Sequence, residues 1–107
     1  MAAVNLNKEQ FDRAMEEGKA VLVDYWAPWC TYCRRIAPAY DKIAQLYGEN
    51  LLVAKINIDE EPLLAALEQI EVIPTLVLYR EGNPLGSIVA PESKAMIDQF
   101  IHSTLGL

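Results

Sequence analysis

Cys30 and Cys33 are the only cysteines in the 107 residues, and two residues separate them in Trp29-Cys30-Thr31-Tyr32-Cys33. Two cysteines scattered at random over such a chain fall at this separation roughly 2% of the time, so the spacing asks for a chemical reason. A reversible dithiol/disulfide couple is one. A thiolate attacks a disulfide, a second thiol one helical turn away resolves the mixed disulfide, and two electrons move without an organic cofactor. Half of a zinc knuckle is another, but structural zinc takes four ligands and only His102 could supplement the two cysteines. A metal or iron–sulfur cluster shared between two chains is the remaining metal reading. Redox chemistry is the simplest account.

The elements around the pair fit that account. Ala20-Val21-Leu22-Val23-Asp24-Tyr25-Trp26 is nearly unbroken apolar sequence, as in a strand buried on both faces. The cysteines follow it, where the next helix begins, so Cys30 should meet the unpaired N–H groups of a first helical turn, which stabilise a thiolate. Arg34 and Arg35 add positive charge, and Trp29 is placed to wall the site. The helix reads through Ile36, Tyr40, Ile43, Ala44, Leu46 and Tyr47 to Gly48, with Pro38 expected to kink it.

Two charged residues interrupt buried strands. Asp24 lies six residues before Cys30, and Lys55 interrupts Leu51-Leu52-Val53-Ala54-Lys55-Ile56-Asn57-Ile58. A buried acid needs a partner or a raised pKa and is then a proton acceptor, with a neighbouring lysine to tune it. Pattern alone leaves this open against two side chains facing solvent at strand ends.

Elsewhere, Val4-Asn5-Leu6 reads as a short strand. Lys8 to Glu17 reads as a helix capped by Asn7 and Gln10 and closed by Gly18. Pro62 to Gln69 reads as a short helix behind Asp59-Glu60-Glu61, whose acids suit a helix start. Thr75 to Arg80 reads as a strand headed by Ile73-Pro74. Glu81-Gly82-Asn83 then turns into a hairpin partner over Leu85 to Val89, and Ser93 to Leu105 is an amphipathic helix. The order β-α-β-α-β-α-β-β-α implies one mixed sheet between helical layers.

Acids outnumber bases by 15 to 9, and the net charge of −6 disfavours nucleic acid and anionic membrane as partners. No apolar run of about 18 residues is present, so a membrane-spanning helix is not expected. The start Met1-Ala2-Ala3-Val4-Asn5-Leu6-Asn7 lacks the basic and apolar regions of a secretory leader, which points to a cytoplasmic setting. In such a reducing compartment a C-x-x-C pair is catalytic or metal-binding more often than structural. The length suits one domain over 1–107, and nothing in the pattern demands more than a monomer.

At this point the chain resembles the thioredoxin family over essentially its full length. The matching residues are Val23-Asp24-Tyr25-Trp26-Ala27-Pro28-Trp29-Cys30, Cys33, Ile36-Ala37-Pro38, Val53-Ala54-Lys55-Ile56-Asn57-Ile58-Asp59, Ile73-Pro74-Thr75-Leu76 and the Gly82 turn. The resemblance implies a thioredoxin-like three-layer α/β sandwich, with a mixed five-stranded central sheet flanked by four helices. It implies a thiol–disulfide oxidoreductase in which Cys30 attacks, Cys33 resolves, Asp24 assists proton transfer and Lys55 neighbours it. It makes Pro74 a cis-proline facing the site. The backbone of Ile73 would pair with an extended substrate segment, and Trp29, Ile73, Pro74, Val89 and Ala90 would form an apolar docking patch. Protein disulfides would be the substrates. No cofactor is implied beyond the cysteine couple, with NADPH entering only through a thioredoxin reductase. A more oxidising, isomerase-like or pathway-specific protein and a non-catalytic binding scaffold are the alternatives.

Three departures qualify the resemblance. Thr31-Tyr32 stands where the family usually has Gly-Pro, a dipeptide that strongly affects the relative stability of thiol and disulfide; Thr31 and Tyr32 are also candidate substrate contacts, and the bulky Tyr32 ring a candidate shield of the site. Ala90, followed by Pro91, replaces the usual glycine of the substrate loop. Arg34, with Arg35 beside it, replaces the usual lysine.

Overall fold

Strand residues alternate between the faces of a sheet, so a strand apolar at every position must be covered on both sides. A computed structural model describes residues 2–107 and builds that arrangement; Met1, where the reading of the N-terminus began, lies outside them. The elements are β1 (Val4–Asn5), α1 (Lys8–Glu17), β2 (Val21–Trp26), α2 (Thr31–Tyr47), β3 (Leu52–Asn57), α3 (Pro62–Leu67), β4 (Thr75–Arg80), β5 (Asn83–Val89) and α4 (Lys94–Leu105). One sheet of five strands runs in the order β1-β3-β2-β4-β5. The β1–β3 and β3–β2 pairs are parallel, while β2–β4 and β4–β5 are antiparallel.

The central strand β2 divides its side chains between two cores. Val21, Val23 and Tyr25 pack with Phe11 and Ala14 of α1 and Leu64 of α3. Leu22 faces the other way, toward Ile36, Tyr40 and Ile43 of α2 and Ile97 and Ile101 of α4. Asp24, in phase with Leu22, therefore belongs to the α2 side.

The helix ends follow local chemistry. Asn7 Oδ1 accepts the Gln10 N–H at 2.8 Å while Gln10 Oε1 accepts the Asn7 N–H at 2.9 Å, the reciprocal cap expected from sequence. The Ser93 hydroxyl caps α4 by accepting the Met96 N–H at 3.1 Å. Pro38 does not interrupt α2: it and Arg34, whose carbonyl it leaves without a ladder donor, both lie on the exposed side, where solvent can serve that carbonyl. The acids ahead of α3 supply no side-chain cap.

Two boundaries differ from the sequence reading. Helix α3 stops at Leu67 rather than Gln69, because Gln69 takes a left-handed φ of 60°. Strand β5 begins at Asn83 rather than Leu85. Glu81 and Gly82 both have positive φ (54° and 79°), so they form a two-residue hairpin loop and Asn83 pairs at once with Arg80. Pro84 then sits in an edge strand beside a register shift at Leu78/Tyr79, a place where proline is tolerated.

Candidate active site

Strand β2 delivers the chain through Ala27-Pro28-Trp29 to Cys30, the N-cap of α2. Its backbone there is extended (φ −84°, ψ 107°), and its Sγ accepts the Cys33 N–H at 3.2 Å. The sulfur thus takes the place that a serine or aspartate oxygen occupies in an ordinary cap. Cys33 lies one turn further in, and the two form a disulfide across a Cα–Cα distance of 5.2 Å. Cys30 is 9% exposed and Cys33 only 3%, so an incoming sulfur meets Cys30 first. The Cys33 N–H aims the positive end of the helix at the Cys30 sulfur.

The neighbours hold this turn in place. The Arg34 Nη1 donates to the Pro28 carbonyl at 2.9 Å, clamping the approach loop, and the Arg35 guanidinium lies 5.7 Å from the Tyr32 ring centroid. Each arginine therefore has an identifiable contact away from the sulfurs. Trp29 is 64% exposed, so it does not seal the site; its Nε1 donates to both Asp59 carboxylate oxygens, at 3.0 and 3.2 Å. Cys30, Cys33 and Ala27 form a small buried cluster, against which Trp26, Tyr32, Ile58 and Ile73 pack.

Asp24 is 1% exposed, which removes the solvent-facing reading. Burial in apolar surroundings pushes its carboxyl up to about 7, with Lys55 pulling in the opposite direction. Asp24 Oδ1 and the buried Trp26 Nε1 have no hydrogen-bond partner among the described residues. Lys55 is the register partner of Asp24 on β3, and its Nζ lies 4.3 Å from the Trp26 ring centroid. No ion pair joins Lys55 to Asp24 among the described residues. The lysine acts on the acid through space while its charge rests on an aromatic face.

The Ile73–Pro74 peptide bond is cis, and Pro74 is buried at the head of β4. Beyond it, Val89 pairs with Thr75, and the Ala90 N–H donates to the Pro74 carbonyl at 3.0 Å, carrying the β4–β5 ladder one step further. Ala90 has a φ of 46°, the left-handed conformation that a glycine takes without steric conflict and that costs alanine about 1–2 kcal/mol. Val89 and Thr31 are exposed. The Tyr32 hydroxyl, by contrast, is directed to the Pro91 carbonyl, to which it donates at 3.1 Å.

Sequence reasoning passed over two residues here. Tyr40 was legible only as part of an apolar helix face. It is buried, and its hydroxyl contacts the Ala54 carbonyl at 2.6 Å and the Leu22 carbonyl at 3.2 Å, linking α2 to β3 and β2 beside Asp24. Burial first, and Asp24 next, hold its phenol well above the ordinary range. Asp59 was legible as one of three successive acids, with no signal for its contact to Trp29. His102 contacts Asp98 and Tyr47 on the α4 side. Among the described residues no group of three His, Cys, Asp or Glu side chains gathers as a metal site.

The thioredoxin family model matches residues 2–103. A thioredoxin of Alicyclobacillus acidocaldarius subsp. acidocaldarius is 35% identical over 104 residues, which span 97% of this chain and 99% of the relative. A thioredoxin of Acidithiobacillus ferridurans is 43% identical over 91 residues, 85% of this chain and 84% of its own. Among solved structures, a single-substitution mutant of a thioredoxin from Halobacterium salinarum NRC-1 superposes with a TM-score of 0.86 at 26% identity, covering 99% of this chain and 93% of that one. With its Cys30–Cys33 couple at the mouth of α2, the chain belongs to the thioredoxin family and is a thiol–disulfide oxidoreductase.

Proposed function

We propose that the protein reduces disulfides in other proteins and is itself re-reduced by an NADPH-dependent thioredoxin reductase in the cytoplasm. The Cys30 thiolate attacks one sulfur of the substrate disulfide; an S–S bond forms to Cys30 and the other substrate sulfur leaves as a thiolate. Cys33 then gives its proton to Asp24 and attacks the Cys30 sulfur, forming the Cys30–Cys33 disulfide and releasing the second substrate thiolate. Two electrons pass from the dithiol to the substrate. Lys55 tunes the proton affinity of Asp24, and the Ile73 backbone pairs with an extended substrate segment beside Trp29, Pro74, Val89 and Ala90.

The observation that carries this reading is the placement of the cysteines: Cys30, the more exposed of the two, accepts a helix N-terminal N–H, and Cys33 lies one turn deeper. A more oxidising, isomerase-like role is the second reading, favoured by the replacement of Gly-Pro by Thr31-Tyr32. The equilibrium potential of the couple, followed by Trp26 and Trp29 fluorescence in thiol redox buffers, separates the two. A potential below that of the glutathione pool is expected; one well above it would transfer the protein to the isomerase reading.

A further inference from the structure

Two of the places where this chain departs from its family's usual sequence touch each other. Tyr32 lies between the cysteines, Pro91 follows the substrate-loop alanine, and the Tyr32 O–H donates to the Pro91 carbonyl at 3.1 Å across 59 residues of chain. Packing holds the ring in addition to that bond. It packs both against the cysteine cluster and against the core between α2 and α4, with the Arg35 guanidinium 5.7 Å from its centroid.

The loop that it grips needs gripping. Ala90 is held at a φ of 46°, where its Cβ crowds the neighbouring carbonyl. Such a conformation persists only when the surroundings over-determine it. The Ala90 N–H to the Pro74 carbonyl secures one side, and Pro91, buried and bonded to Tyr32, secures the other.

We propose that Tyr32 is a positioning residue for protein substrates: its hydroxyl straps the Val89–Pro91 loop to the first turn of α2 and so keeps the docking groove formed in advance. This inference rests on the reading of Ile73–Pro74 and Val89–Ala90 as that groove. A preformed groove spares an extended substrate segment part of the ordering that binding demands. A small disulfide that reaches only the Cys30 sulfur gains nothing from it. The strap therefore favours protein disulfides over small ones, and its loss falls on KM.

The test uses the whole chain, kept reduced by dithiothreitol, with insulin as the protein disulfide and hydroxyethyl disulfide as the small one. Tyr32→Phe keeps the ring and removes the strap. It should raise KM for insulin roughly fivefold, the scale of one neutral hydrogen bond, and lower the insulin-to-small-disulfide selectivity by the same factor. The redox potential should stay in place. In an Ala90→Gly background, where the left-handed conformation needs no restraint, the same substitution should change KM by less than about twofold. Equal losses on both substrates, a shifted potential, or an undiminished effect in the Ala90→Gly background would each overturn the strap. Val89→Asp separates the layers. If it raises KM for insulin while Tyr32→Phe does not, the groove stands and the strap fails. If neither changes KM, the groove fails and takes the strap with it.

Discussion

Asp24 and Tyr25 are consecutive on the central strand, both buried, and treated in opposite ways. Tyr25 points into the core under α1 and α3. Its hydroxyl meets that of Tyr79 at 2.7 Å, and Tyr79 donates to Glu68 at 2.7 Å, so the polar atoms on that face have partners and a route to the surface. Asp24 points to the α2 face, carries a carboxylate oxygen with no partner among the described residues, and has its nearest formal cation resting on Trp26. A fold that can satisfy a hydroxyl on one face leaves an acid under-satisfied one residue away. The first arrangement holds strands and a helix together; the second stores proton affinity near neutrality, which suits the role of proton acceptor proposed above for Asp24.

The widest gap between the two sites should appear on replacing the acid. Because the folded carboxyl titrates at about 7 against an ordinary 3.8, the native state binds a proton that the unfolded chain has lost between those values. The Asp24 penalty is thus absent below about pH 4, grows as pH rises through that window, and is complete above about pH 7. The gap corresponds to on the order of 4 kcal/mol. Asp24→Asn should therefore stabilise the protein at pH 8 by a few kcal/mol and much less at pH 4, measured by urea unfolding at both. The same variant should slow insulin reduction at neutral pH on the order of a hundredfold. Stability gained with activity kept would break the contrast, because the acid would then be a burden without a task.

On the opposite face the signs reverse. Tyr79→Phe leaves the Tyr25 hydroxyl buried without its partner and should lower stability by about 1–3 kcal/mol, while Tyr25→Phe leaves the Tyr79–Glu68 bond and should lower it by about 1 kcal/mol. Neither should alter insulin reduction, and a loss of rate beyond that explained by unfolding would make this network part of the site. The subtlest change is expected from Lys55→Met. It removes the charge that opposes burial, so the Asp24 transition should move to higher pH, a shift readable in the carboxyl carbon resonance. An unmoved transition would show that Lys55 serves Trp26 alone.

Much of this was legible because local patterns dominate it. The cysteine spacing, the apolar runs of β2, β3 and β4, and the reciprocal cap at Asn7 and Gln10 each specify their own structure within a few residues. Burial of Asp24 could be suspected from its interruption of an apolar strand, but only the stacking of α2 over that strand decides it. Other features had no local signal. A tyrosine in an apolar stripe reads as core whether its hydroxyl bridges two strands, as in Tyr40, or closes a network, as in Tyr25 and Tyr79. The Tyr32–Pro91 contact spans the domain. Gln69 and Ala90 take left-handed conformations that sequence rules reserve mainly for glycine, and Pro84 lies within a strand whose pattern reads as starting at Leu85.

That proline has a consequence for how the sheet meets other chains. Sheet edges recruit foreign strands through unpaired backbone groups. Here one edge is the two-residue β1, and the other is β5, where Pro84 lacks an N–H and the register slips beside it. So edged, the sheet is a poor template for the aggregation of other chains.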